Sequence, residues 1–121
     1  MKRIRIIMIA LFFIGFSACI FLKEDARLVN QGYNSLFSGN VGQAEQQFKA
    51  ALEVNPDNPY AMLNLGVIYA RTGREELARA MYRQVIANDA SASTYPARVG
   101  EDGMKGQTLK KIAETNLGRL N

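Results

Sequence analysis

An internal repeat is the feature that most constrains how this 121-residue chain can fold. When the sequence is shifted by about 34 residues, small residues fall on small, aromatic on aromatic and aliphatic on aliphatic positions. The matched pairs are Leu28 and Met62, Asn30 and Asn64, Gly32 and Gly66, Gly39 and Gly73, Ala44 and Ala78, Phe48 and Tyr82, Ala51 and Val85, and Leu52 and Ile86. One supersecondary unit therefore occurs twice, and its copies are expected to bury their apolar faces against each other.

Within each unit the residue types predict two helices joined by a short turn. Gly39 and Gly73 interrupt runs of helix-forming residues, and glycine permits the left-handed conformation that ends many helices. Between the units, Asn58 is a plausible N-cap for a helix that has Pro59 in its first turn. The predicted helices cover residues 24–37, 41–54, 59 to about 71, and 74 or 75 to about 88.

Two glycines in the middle of predicted helices indicate close helix crossings. A glycine inside a helix costs about 1 kcal/mol relative to alanine, which is tolerated where two helices must approach closely. Alanines on the partner helices suit the same crossing, and aromatic residues four positions later fill the wider space beside it. We interpret all six as packing residues, namely Gly32, Gly66, Ala44, Ala78, Phe48 and Tyr82.

The repeats resemble tetratricopeptide repeats. The second copy reads Met62-x2-Leu65-Gly66-x2-Tyr69 and then Ala78-x3-Tyr82, with Met in place of the usual opening Trp. The first copy keeps Gly32, Ala44, Phe48 and a closing Pro56, but has Gln31 and Ser35 where Leu and Tyr are usual, while the second has Ala90 in place of the closing Pro. The resemblance implies an all-α fold, a short α-solenoid of two tandem hairpins over residues 25–58 and 59–92.

The last third of the chain departs from the repeat. Residues 93–105 include Pro96, Gly100 and Gly103 and lack helical periodicity, which predicts a loop. A helical pattern returns in 106–121, with Leu109, Ile112, Ala113, Leu117 and Leu120 on one face. We interpret this segment as a capping helix that covers the open end of the second repeat, because two repeats alone expose apolar surface. Association between copies of the chain through that end is the alternative.

The N-terminal residues form a membrane-targeting pattern. Lys2, Arg3 and Arg5 precede an apolar run from residue 6 to 22, the layout of a bacterial secretory signal over 1–18 with a tether over 19–24. Ser17-Ala18-Cys19 resembles a lipobox, with Phe16 where Leu is usual and an apolar Ile20-Phe21-Leu22 after the cysteine. The resemblance implies lipidation of Cys19 and anchoring that faces the periplasm, at the outer membrane because no Asp follows Cys19. An uncleaved anchor helix and a released protein are the alternatives.

Composition argues against catalysis, metal or cofactor binding, and nucleic acid. The chain has no His and a single Cys, so the commonest general base and metal ligand is missing. Three of its fifteen Lys and Arg residues precede Cys19, which leaves twelve cations against eleven carboxylates and no concentrated cationic face for phosphates. The acidic pairs Glu75-Glu76 and Glu101-Asp102 are interpreted as surface charge.

Candidate binding residues follow from the resemblance, since tetratricopeptide proteins commonly bind peptides in a concave groove lined by the first helix of each repeat. That face implies Ala26, Val29, Asn30, Tyr33 and Phe37 from the first copy, and Tyr60, Leu63, Asn64, Val67 and Arg71 from the second. The two asparagines could bond a peptide backbone, and the arginine could meet a carboxylate. Alternatively, Tyr33, Phe37 and Tyr60 pack internally.

Together these features predict a membrane-tethered adaptor that binds an extended peptide or helix of a protein partner. It resembles the small repeat-containing lipoproteins that serve pilus or secretion machines in the bacterial envelope. Two alternatives remain open at this point. One is a structural protein whose repeat ends stack, and the other is a non-catalytic subunit of an envelope enzyme complex.

Overall fold

A computed structural model describes residues 24–88 and 107–121 of the chain, and its regular elements there are helices. They are α1 (24–37), α2 (Val41–Val54), α3 (Pro59–Arg71), α4 (Glu75–Ala87) and α5 (Leu109–Arg119). The predicted all-α solenoid, two hairpins followed by a capping helix, is confirmed. The predicted signal, Cys19 and the 93–105 loop lie outside the described residues.

Both hairpin turns have the same backbone geometry. Gly39 and Gly73 take φ angles of 78° and 75°, the left-handed conformation expected for glycine at a helix end. In the first turn the N–H of Asn40 donates to the carbonyl of Ser35 at 2.8 Å, and in the second Arg74 donates to Tyr69 at 2.8 Å. The two glycines identified from the repeat therefore reverse the direction of the chain in the same way in both hairpins.

The junction between the hairpins is fixed by side-chain caps. Asn58 Oδ1 accepts from the backbone N–H groups of Tyr60 and Ala61, both at 3.0 Å, so its predicted N-cap role is confirmed. The buried carboxylate of Asp25, in the first turn of α1, accepts from Asn58 Nδ2 at 2.9 Å and from Asn55 Nδ2 at 2.7 Å. Burial opposes the charge of Asp25, but these amide donors outweigh it and lower the pKa of the carboxyl. The start of α1 is thereby tied to the junction.

The core of each hairpin is an aromatic ring laid on a glycine. A Cβ added to Gly32 would lie 2.6 Å from Cε1 of Phe48, and one added to Gly66 would lie 2.5 Å from Cε1 of Tyr82. Both rings are buried, and the ring of Phe48 also meets Tyr33 edge-on at a centroid distance of 5.7 Å. The close crossings predicted from the mid-helix glycines are therefore present in both repeats.

An ion pair joins the two repeats at one side. The guanidinium of Arg74 donates to both carboxylate oxygens of Glu45 on α2, at 2.9 and 2.7 Å, and lies 4.5 Å from the ring centroid of Tyr69. Lys49 adds a contact to Glu45 at 2.7 Å. The hydrogen bond from Arg74, followed by that from Lys49, lowers the pKa of Glu45 to about 2 against the opposing effect of burial.

We expect this pair to make stability depend on acid pH. The pKa of Glu45 is depressed in the folded state, so its contribution is complete above the ordinary value of 4.5 and is lost as pH falls towards about 2. A Glu45→Gln variant should lose roughly 1 kcal/mol at pH 7, since both cations are partly exposed, and almost nothing at pH 2. Thermal unfolding followed by circular dichroism between these pH values measures the difference. An equal loss at both ends would contradict an electrostatic origin.

The fifth helix closes the exposed side of the second repeat. Thr108 caps it by accepting from the N–H of Lys111 at 3.2 Å, and α5 packs against α4 and α3. Leu109, Ile112 and Ala113 are buried as the helical pattern predicts, whereas Leu117 and Leu120 are only half-buried. None of the helices within 24–88 and 107–121 is long and apolar enough to span a lipid bilayer.

Candidate functional site

The predicted groove residues divide into three groups by exposure. Val29, Leu63 and Asn64 are buried, so in this conformation they present almost no surface to a partner. Tyr33, Tyr60 and Val67 are half-buried and pack against the hydrophobic core. Asn30, Phe37 and Arg71 are exposed. The surface that α1 and α3 offer is therefore narrower than the resemblance implies.

Asn64 acts within the fold. Its amide nitrogen donates to the carbonyl of Tyr60 at 2.7 Å and to the hydroxyl of Tyr33 at 3.1 Å, which joins the first helices of the two repeats. A bond from this nitrogen to a peptide backbone would have to displace one of these contacts. The exposed amide of Asn30 requires no such displacement. The alternative that Tyr33 and Tyr60 pack internally agrees with their positions, but Phe37 does not share it.

Phe37 is the most exposed large apolar side chain of the described residues, with 89% of its surface accessible. It ends α1, and Val41 in the first turn of α2 adds a second apolar group that is 42% exposed. Burying a phenylalanine side chain stabilises a fold by about 1.5–3 kcal/mol, and Phe37 does not contribute this stabilisation. We call Phe37 and Val41 the apolar tip.

Arg71 occupies in α3 the position that Phe37 occupies in α1, one repeat later. It is exposed, and within the described part of the chain it takes part in no ion pair. The Tyr33 to Asn64 and Asp25 to Asn58 hydrogen bonds hold α1 beside α3, so the apolar tip and this guanidinium lie at the same end of the two helices. The site combines an aromatic group with an available cation.

Sequence reasoning missed Val41 as part of this surface. The signal was present in the repeat, because Val41 begins α2 where its equivalent Glu75 begins α4. Val41 is thus an apolar residue at a first-turn position that carries a charge in the other copy, and 42% of its surface is exposed. No group of three or more Cys, Asp or Glu side chains in 24–88 and 107–121 is arranged to hold a metal ion.

Comparison with known proteins identifies the repeats. A model of the tetratricopeptide repeat matches residues 29–93, more than half of the chain. The chain is 30% identical over 85 residues to human (Homo sapiens) tetratricopeptide repeat protein 7A, and 31% identical over 77 residues to Protein O-mannosyl-transferase F38B6.6 of Caenorhabditis elegans. These alignments cover 70% and 64% of this chain but 10% of each relative, and no solved structure matches significantly. The chain belongs to the tetratricopeptide-repeat family, whose repeats serve as protein–protein interaction modules.

Proposed function

We propose that this chain is a membrane-tethered adaptor that binds a protein partner through the apolar tip and Arg71. The exposure of Phe37 is the observation that carries the proposal, because an aromatic side chain with 89% of its surface in water gains most from a partner. Aromatic and arginine residues are also the residue types in which interface binding energy concentrates. The surface is suited to a short segment that presents an apolar side chain and a carboxylate.

The packing behind the surface favours the same function. The apolar tip flanks a turn whose geometry is set by Gly39, and Tyr33 one turn earlier in α1 contacts both Phe48 and Asn64. A surface held by such contacts loses little conformational entropy when a partner binds. The half-buried Val67 and Tyr60 extend the contact area along α3, from Arg71 towards the start of the helix.

Site-specific photocrosslinking in intact membranes tests the binding surface. A photoreactive phenylalanine analogue at position 37 should capture a discrete partner, and the same analogue at Leu77 serves as the control. Leu77 is also a large apolar residue, 49% exposed, but lies on α4. Equal capture from both positions, or none from position 37, would exclude the surface proposed here.

Point substitutions measure the strength of the interaction with the captured partner. Because central aromatic residues contribute about 2 kcal/mol or more, Phe37→Ala should weaken binding by at least tenfold. Arg71→Gln should weaken it less and make the residual affinity less sensitive to salt. Leu77→Ala should leave the affinity unchanged. Wild-type affinity for the Phe37→Ala variant, measured by isothermal titration, would contradict the proposal.

The membrane tether rests on the sequence of the N-terminal segment. Lys2, Arg3 and Arg5, the apolar run 6–22 and the Ser17-Ala18-Cys19 motif support lipidation of Cys19 and a periplasmic orientation of the repeats. A Cys19→Ala variant should migrate differently on electrophoresis and accumulate in a different cell fraction. Unchanged mobility and fractionation would remove the lipid anchor from the proposal.

The proposed setting is an assembly of the bacterial envelope, such as a pilus or secretion apparatus. A non-catalytic subunit beside an enzyme is the second candidate. One relative is named as an O-mannosyl-transferase, and the match covers a tenth of that relative's length. The crosslinked partner separates the two settings. A structural component of an envelope machine supports the first, and an enzyme supports the second.

A further inference from the structure

The apolar tip continues along α2 into a group of charged side chains. Val41, Glu45 and Lys49 follow one another at intervals of four residues, so they lie along one side of α2 with about 5–6 Å between neighbouring Cβ atoms. Arg74, the N-cap residue of α4, is bonded to Glu45 and brings the second repeat into the same surface. The exposed apolar groups of the tip are therefore followed directly by Glu45, Lys49 and Arg74, which we call the charged cluster.

Two cations share one carboxylate in the charged cluster. The guanidinium of Arg74 donates to both oxygens of Glu45, at 2.9 and 2.7 Å, and Lys49 Nζ lies 2.7 Å from Glu45 Oε1. Arg71 lies across the turn before α4 and takes part in no ion pair within the described residues. Glu53, one turn beyond Lys49 on α2, lies farther from the apolar tip. The nearer surface thus carries three cations and one carboxylate.

The acidic residues at the start of α4 are engaged on another side of that helix. Glu75 and Glu76 lie 3.6 and 3.4 Å from Arg79. Arg79 also donates to the carbonyl of Leu120 and to the side chain of Asn121, so these groups lie on the side of α4 that faces the end of α5. The charged cluster lies towards α2, and its excess of positive charge therefore remains beside the apolar tip.

The cations of the charged cluster are more exposed than its carboxylate. The exposed fraction of the side chain is 12% for Glu45 but 37% for Arg74 and 44% for Lys49. Within the described part of the chain, Arg74 donates to Glu45 and Thr72 through three of its five N–H groups, so two can reach a further acceptor. A partner that contacts the apolar tip therefore meets positive charge and available donors one helical turn away.

We propose that the segment bound by the apolar tip is acidic, and that its carboxylates contact Lys49 and Arg74, the two cations that Glu45 neutralises in the free chain. This inference rests on the function proposed above, because the apolar tip anchors the same segment. It adds the charge of the partner and gives Glu45 a second role. Glu45 is an internal counter-ion, so it stabilises the fold but lowers the affinity for an acidic partner.

Charge complementarity supports an acidic partner over a neutral one. A neutral apolar segment would cover Phe37 and Val41 but would bring no charged acceptor to Arg74 and Lys49. A carboxylate gains charge-assisted hydrogen bonds there, and sharing the contacts of Glu45 costs little because both cations are partly exposed. Lys49 and Arg74 belong to α2 and to the start of α4, so this surface differs from the groove along the first helix of each repeat.

Two synthetic peptides test the charge of the partner. Both carry a central phenylalanine–leucine pair, which is flanked on each side by two glutamates in one peptide and by two glutamines in the other. Fluorescence anisotropy with the full chain in mild detergent should show at least about tenfold tighter binding of the glutamate peptide. This preference should diminish as the concentration of sodium chloride rises. Phe37→Ala should weaken the binding of both peptides.

Glu45→Gln is the decisive variant, because stability and affinity should change in opposite directions. The substitution removes an ion pair that stabilises the fold, yet the variant should bind the glutamate peptide about threefold to fivefold more tightly than the wild type. A carboxylate with only a structural role would weaken binding when removed. Glu114→Gln is the matched control, since it also removes one negative charge but from an exposed position on α5, and it should leave the affinity unchanged.

Lys49→Gln keeps the test open if Glu45→Gln fails to fold. Lys49 is exposed, so its replacement should preserve the fold while weakening the binding of the glutamate peptide by about threefold to fivefold. The glutamine peptide should bind this variant and the wild type equally. Wild-type affinity of Lys49→Gln for the glutamate peptide would overturn the inference.

The inference and the proposed function fail in different ways. If Phe37→Ala weakens binding but the two peptides bind the wild type equally, or folded Glu45→Gln gains no affinity, the acidic partner is overturned and the apolar tip remains the binding surface. Binding of the glutamate peptide that Phe37→Ala leaves unchanged overturns the apolar tip as well. No saturable binding of either peptide to the wild type also overturns the inference, and photocrosslinking at position 37 then decides the proposed function separately.

Discussion

Replacing Phe48 by alanine is expected to lower the free energy of unfolding by about 3–5 kcal/mol. The Phe48 side chain is fully buried, and its ring lies on Gly32 of α1 while meeting the edge of Tyr33. Truncation leaves a cavity that these neighbours cannot close, because a glycine has no side chain that could move into it. Small domains have only about 5–15 kcal/mol of stability, so the first hairpin should unpack near physiological temperature.

Phe37→Ala is the internal control for this prediction. Phe37 lies eleven residues before Phe48 in the same hairpin but is 89% exposed, so its removal should change stability by less than about 0.5 kcal/mol. Urea unfolding followed by far-ultraviolet circular dichroism compares the two variants with the wild type. Similar losses for both phenylalanines would contradict the structure, because they would mean that Phe37 also packs internally.

The helix boundaries could be predicted because the signals that set them are local. A glycine that needs a positive φ angle, as at Gly39 and Gly73, ends a helix whatever it packs against. Asn58 followed by Pro59 starts one for an equally local reason, since the side chain bonds the N–H groups of its own helix. The repeat then supplied a second copy of the glycine signal.

The contacts that join the repeats could not be predicted in the same way. Glu45 and Arg74 are ordinary surface residue types 29 positions apart, and only the crossing of the helices brings them within 2.7 Å. The same holds for Asp25, whose acceptor role towards Asn55 and Asn58 depends on where α1 begins relative to the junction. The residue types indicate that such charged groups will have partners, but only the packing of the helices determines which residues those partners are.

The candidate site was predicted less well than the fold because position on a helix does not determine exposure. Leu63 and Phe37 both belong to the face that the family resemblance assigns to the groove, yet 1% of one side chain and 89% of the other is exposed. Neighbouring elements cover the middle of the face and leave its end open. The asparagine at position 64 could not be identified as a structural residue before its bond to Tyr33 was seen.

Replacing Gly66 by alanine is expected to destabilise the second repeat by about 1–3 kcal/mol, although alanine is the better helix former. The added Cβ would lie 2.5 Å from Cε1 of Tyr82, and this ring has little room to move. It is buried, and its hydroxyl is hydrogen-bonded to Asn116 of α5. Burial raises the pKa of Tyr82 to about 12, against the opposing effect of its hydrogen bond with Asn116.

Gly118→Ala provides the comparison, since Gly66 in α3 and Gly118 in α5 follow the same Asn-Leu pair. An added Cβ at Gly118 meets no described atom within 4 Å, so only the helix preference remains and stability should rise by up to about 1 kcal/mol. The urea midpoint is therefore expected to fall for Gly66→Ala and to rise for Gly118→Ala, although both substitutions add the same methyl group. If both variants were destabilised, position 118 would already be covered by another part of the chain.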